Sequence, residues 1–103
     1  MTPVTHPSWC DRTACSVHAQ GAGLAGSHVS RSTLVDAGGQ QCAVLLYLPA
    51  VRRGHRVDEP SVLVEVYGPD AHPGDPDALI VLWPEAARAL GMILVAHARV
   101  AQP

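Results

Sequence analysis

The chain has 103 residues, a formal charge of −2 at neutral pH and an apolar fraction of 48%, with no Phe and only 4% aromatic residues. One domain of this length, 1–103, buries a modest share of its surface, so its core must be aliphatic and an added staple is expected. No basic run exceeds Arg52-Arg53, which excludes a phosphate-tracking surface and makes nucleic acid an unlikely partner class. The N-terminus does not read as a signal peptide and no apolar run reaches the roughly 20 residues of a membrane span, so the expectation is a cytoplasmic protein that does not enter a membrane.

Residues 1–40 carry little hydrophobic periodicity, because Gly21, Gly23, Gly26, Gly38 and Gly39 interrupt any helix or long strand that starts there. Something other than a core must order them, and we read 1–40 as an irregular metal-binding knuckle with its lead-in. From residue 41 to 103 the texture changes to strands plus a C-terminal helix. The apolar run Cys42 to Leu48, bounded by Gly38-Gly39 and Pro49, predicts a buried strand. Val51 to Pro60 is basic, then acidic, and reads as a solvated hairpin loop. Ser61 to Tyr67 predicts a second strand with Val62, Val64 and Val66 on one face, and the Pro- and Asp-rich stretch Gly68 to Asp77 predicts a loop. Ala78 to Leu82 is a third strand.

Pro84 and Glu85 then start a helix that runs to about Ala101, since Pro is tolerated in the first turn and an acidic residue there suits the helix dipole. Ala86, Leu90, Ile93, Leu94 and His97 share one stripe of this helix, and Glu85, Arg88, Arg99 and Gln102 mark the opposite face. Met92 and Val95 lie within that polar face, which raises the expectation of a protein partner or a homodimer through the C-terminal helix. The predicted fold class is α+β: an antiparallel meander of three or four strands, closed by one C-terminal helix, with an irregular N-terminal zinc knuckle.

The chemistry is concentrated in the knuckle. His6, Cys10, Cys15, His18 and His28 place five soft or borderline ligands within 23 residues. A structural zinc site takes four Cys or His ligands in a tetrahedron, and a short chain usually supplies them as close pairs joined by a loop. Three residues separate His6 from Cys10 and four separate Cys10 from Cys15, while the glycines at 21, 23 and 26 let the chain return. Five candidates for four positions leave one spare. The competing reading is that Cys10 and Cys15 pack together or oxidise as a pair.

The string Pro7-Ser8-Trp9-Cys10, then Cys15, then His28-Val29-Ser30, resembles an actinobacterial family of small proteins of unknown function. Its N-termini read C-P-x-W-C, a further Cys or His, and H-x-S. The resemblance also covers the strand and Ala/Leu-rich helix from Ala78 to Ala101, while the middle loops diverge. It implies His6, Cys10, Cys15 and His28 as the zinc ligands, with His18 spare, His6 standing where the family often has Cys, and Trp9 packing beside the metal. It implies no activity.

The other candidates have ordinary roles. Cys42 opens a strand and reads as core, while His55 and His72 fall in loops and His97 on the apolar side of the helix. No nucleophile has a partner base, the aspartates lie in loops, and the glycines at 21, 23 and 26 form no phosphate loop, so enzyme activity is not expected. The expected function is a zinc-stapled interaction or regulatory module. Two alternatives stand beside it. One is a DNA-associated transcriptional accessory protein, resting on Arg52, Arg53, His55 and Arg56; the other is a thiol redox switch using Cys10 and Cys15.

Overall fold

The computed structural model describes residues 4–51 and 59–102. Among them, seven strands and one helix follow in chain order: β1 His18–Gln20, β2 Gly23–Ala25, β3 Ser27–Val29, β4 Thr33–Ala37, β5 Gln40–Pro49, β6 Ser61–Tyr67, β7 Ala78–Leu82 and α1 Pro84–Ala101. The fold is α+β, with antiparallel pairing throughout. β1 and β2 form a separate two-stranded ribbon, and a five-stranded sheet runs β3-β5-β6-β7, with β4 also on β5.

Ten-residue β5 organises this sheet because its apolar run outlasts either partner on its first edge. β3 pairs with its C-terminal end, His28 opposite Leu48, and β4 with its N-terminal end, Val35 opposite Cys42. Ser30 bridges the break between them. Its N–H donates to the Leu46 carbonyl at 3.0 Å, and its hydroxyl accepts the Leu46 N–H at 2.7 Å, so a side chain continues the ladder where the strand ends.

The glycine-broken segment is therefore more regular than its pattern indicates. Two of its breaks are hairpin turns, at residues 21–22 and at Gly38 and Gly39, which at φ of 60° and 77° are the two residues between paired Ala37 and Gln40. Positive φ at both positions is the demand of the two-residue turn whose twist matches the strands it joins.

Residues 61–67, 78–82 and 84–101 adopt the predicted elements. Residues 52–58, with most of the expected hairpin loop, lie outside the described residues. Between β6 and β7, the Asp77 carboxylate accepts the Gly68 N–H at 2.9 Å and closes the Pro-rich loop. Trp83, extended at φ −67° and ψ 154°, is the sole residue between β7 and α1, and Pro84 fixes the helix start.

The register places Val44, Leu46, Val62, Val64, Val66 and Ile80 on one sheet face, where the alternation in β6 predicts them. Among the described residues, however, the buried apolar side chains are Ala43 and Leu48, 3% and 4% exposed. The helix covers little of the sheet. Its main contacts with the sheet are at β6 and β7, none of its residues is buried, and its apolar stripe is open to solvent. The radius of gyration is 16.1 Å, against about 13 Å for a compact chain of this length.

Candidate metal centre

The centre is assembled from a turn and a strand. His6, Cys10 and Cys15 precede β1 in a segment without regular structure, and His28 is the middle residue of β3. Local backbone bonds fold the first three together: the Cys10 N–H donates to the Pro7 carbonyl at 3.0 Å, and the Asp11 carbonyl accepts from Ala14 at 3.0 Å and from Cys15 at 2.9 Å. The Asp11 carboxylate fixes this turn through Oδ1, which accepts the Thr13 N–H at 3.0 Å and the Thr13 hydroxyl at 2.7 Å. Such a turn is the usual work of Asp beside a bend. The two bonds from Thr13, the hydroxyl first, hold the Asp11 carboxyl below the ordinary carboxylate range.

The turn is fastened to β3 on both sides of His28. The Asp11 N–H donates to the Val29 carbonyl at 2.8 Å, and the Ser16 N–H to the Ser27 carbonyl at 3.1 Å. Successive residues of a strand point their backbone groups to opposite edges, so Ser27 and Val29 reach the knuckle while the neighbouring residues pair with β5. Gly26 makes the approach possible: its φ is 87°, and a Cβ there would overlap the Ser16 carbonyl. The His28 side chain, 6% exposed, sits beneath the turn.

Four ligand atoms converge, all lying within 4.8 Å of one another. Cys10 Sγ is 3.5 Å from His6 Nδ1 and 3.6 Å from His28 Nδ1; Cys15 Sγ is 3.7 Å and 3.6 Å from the same two nitrogens. The two imidazoles stand nearly perpendicular, at 83° with centroids 5.2 Å apart. A tetrahedron with zinc–sulfur bonds of about 2.3 Å and zinc–nitrogen bonds of about 2.05 Å requires sulfur–nitrogen separations of about 3.6 Å. Hydrogen bonding does not account for four such contacts, because each Nδ1 carries either one lone pair or one proton and can engage a single sulfur well. The donor set fits one cation held in common.

Burial pushes the Cys10 thiol above its ordinary value, and the neighbouring Cys15 adds to the shift through a hydrogen bond and its charge, against a backbone bond at Val29 that opposes it. A protein environment alone thus favours the neutral thiol, whereas a bound cation reverses that preference and holds the thiolate.

His18 is outside the cluster. It lies exposed in β1, with Nδ1 at 2.9 Å from the Ser16 carbonyl. Cys42 is half-buried in β5 opposite Val66, His72 is exposed in its loop, and His97 Nδ1 donates to the Ile93 carbonyl one turn back at 3.0 Å. Arg52, Arg53, His55 and Arg56 lie outside the described residues. Two contributors escaped the pattern of the sequence. Ser30 shows only as the last residue of His-x-Ser, and the role of Gly26 required knowing which strand the knuckle approaches.

A shallow cavity over β4, β5 and β6, lined in part by Asp36, Gln41, Glu65 and Tyr67, gathers the remaining polar groups. There the Tyr67 hydroxyl donates to Glu65 at 3.3 Å, and burial, followed by the Glu65 charge, raises its pKa. Comparison of the chain with protein-family models, with curated proteins and with solved structures gives no match.

Proposed function

We propose that this chain is a small zinc-stapled protein-interaction or regulatory module without catalytic activity, and that His6, Cys10, Cys15 and His28 are the zinc ligands. The observation that carries the reading is the set of four sulfur–nitrogen separations between 3.5 and 3.7 Å, the spacing of a tetrahedral zinc centre. Two thiolates and two imidazoles suit zinc rather than the oxygen-seeking cations, and four protein ligands complete its usual structural shell with no position left for substrate. When bound, the ion supplies a cross-link between the N-terminal turn and β3. The Asp11 carboxylate, next to Cys10 in sequence, is engaged by the Thr13 N–H and hydroxyl, which argues against its use as a base.

The ordering of the knuckle needs that link. Among the described residues only Ala43 and Leu48 are buried apolar side chains, whereas structural zinc contributes an apparent 10–16 kcal/mol in small zinc domains, about the whole stability of a domain this size. Thiolate ligands would be favoured in a reducing compartment, which supports a cytoplasmic setting.

Elemental analysis of the purified protein tests the reading. One zinc per chain is expected, with strong visible absorption when cobalt replaces it, as tetrahedral cobalt with thiolate ligands gives. A metal-free protein whose fold is indifferent to a chelator removes the proposal. The thiol switch is separated by counting thiols: Cys10 and Cys15 should resist mild oxidant while zinc is bound and pair only after its removal.

A further inference from the structure

The sheet and the helix each lack what the other has. Val44, Leu46, Val62, Val64, Val66 and Ile80 share one sheet face with Cys42 and, at its β3 end, with buried Leu48 and His28; among the described residues none of the six is fully buried, and Ile80 is 40% exposed. Domains are built from two packed layers because a sheet face of this kind must be covered. Helix α1 in turn has no buried residue, and Leu90, Ile93 and Leu94 on its charge-free stripe are 38%, 56% and 59% exposed. An isolated helix of this length is marginal in water, because its stability comes chiefly from packing.

The helix touches its own sheet at β6 and β7, yet its apolar stripe stays exposed. Trp83 alone links it to β7, and the 58 Å long axis of the molecule is near the roughly 60 Å of β5 and α1 laid end to end. We propose that the protein is a two-fold symmetric dimer in which α1 of each copy lies, stripe downward, across the apolar sheet face of the other. The occupant is a second copy because each chain carries both unmet halves. One two-fold operation covers a half-buried sheet face and an exposed helix stripe twice over, as an isologous contact does, whereas a foreign partner would have to bring both a helix and a sheet face of its own.

The charge pattern agrees: Glu85, Arg88 and Arg99 sit on the far side of the helix from Leu90, Ile93 and Leu94 and remain in solvent. The area comes close to the requirement. A helix about 27 Å long and about 10 Å across, laid on a sheet twice, covers about 1,100 Å² over both surfaces before side-chain relief is counted, at the threshold of the roughly 1,200–2,000 Å² of stable interfaces. The helix stripe and the six sheet residues are not among the metal ligands, although His28 lies at the β3 end of the same sheet face, so the dimer and the metal are tested separately.

Sedimentation of the purified full chain should give twice the 10.8 kDa chain mass at micromolar concentration. Leu94→Glu, present twice in the dimer, should weaken association on the order of 100-fold, with the far-ultraviolet strand signal retained as the check on folding. Isotope-filtered NMR on a mixture of labelled and unlabelled chains needs no variant, and it should show contacts between Leu94 methyls of one copy and Val64 methyls of the other. A monomer at high concentration overturns the proposal. So do Leu94–Val64 contacts confined to one chain, and a dimer whose intermolecular contacts run through the free edge of β7 instead.

Discussion

The two ends of this molecule are ordered by different physics. The N-terminal knuckle has almost no apolar side chains to bury and is held by directional contacts: turn bonds at Asp11, two ladder bonds to β3, and four ligand atoms aimed at one point. The C-terminal half has apolar side chains in excess, arranged with good periodicity, yet most of them stay exposed. A short chain can solve order locally with a few precise contacts, and it can leave a non-directional problem, the covering of apolar area, to be solved between chains.

The largest effect that tests this contrast is loss of a ligand. Cys10→Ser or Cys15→Ser should abolish stoichiometric zinc and, with it, hydrogen-exchange protection at Asp11, Ser16 and Ser27, while protection across β5 and β6 persists. The removed free energy is of the order of the 10 kcal/mol or more that structural zinc supplies. His18→Ala should leave one zinc per chain. If Cys15→Ser instead melted both regions together, the knuckle and the sheet would form one cooperative unit and the contrast would fail.

Next in size is Gly26→Ala. It adds strain at a φ of 87° and a methyl group against the Ser16 carbonyl, so a loss of roughly 2–4 kcal/mol is expected in denaturant unfolding, together with weaker zinc retention. Gly23→Ala is the matched control, with nothing within 4 Å of the added carbon and no positive φ, and should be nearly neutral.

The sequence shows these regions unequally, for reasons that follow from the same contrast. Alternation in 61–67 and the Pro84 start of α1 are local signals, so those elements are legible with their limits. Three-residue strands such as β1, β2 and β3 are shorter than any period, and Gly21, Gly38 and Gly39 read as breaks although they sit in hairpin turns. Ligand density exposes the metal centre, but spacing alone does not separate His18 from His28. That choice is made by β3, which puts His28 opposite Leu48 under the knuckle, and by β1, which takes His18 elsewhere. Burial of the helix stripe is the expectation that fails, since periodicity reveals an apolar face without saying which molecule covers it.

Ser30 tests the seam between the two regions. Ser30→Ala removes the hydroxyl that accepts the Leu46 N–H and should cost about 1 kcal/mol, the usual cost of one half-buried hydrogen bond. The loss should be read most clearly as faster exchange at Leu46. Because β3 carries His28, zinc should also leave this variant faster on chelation.

The smallest change lies at the other end. Gly91→Ala places a methyl group in open space within α1, on neither the Leu90–Leu94 stripe nor a turn, so it should stabilise the helix by about 0.5–1 kcal/mol through backbone entropy alone. Where that gain appears is the informative part. A helix projecting from an isolated chain would grow more helical without changing the midpoint of sheet unfolding. A helix that covers a partner's sheet is coupled to it, so the same substitution should raise the unfolding midpoint of strands and helix together, and the rise should grow with protein concentration.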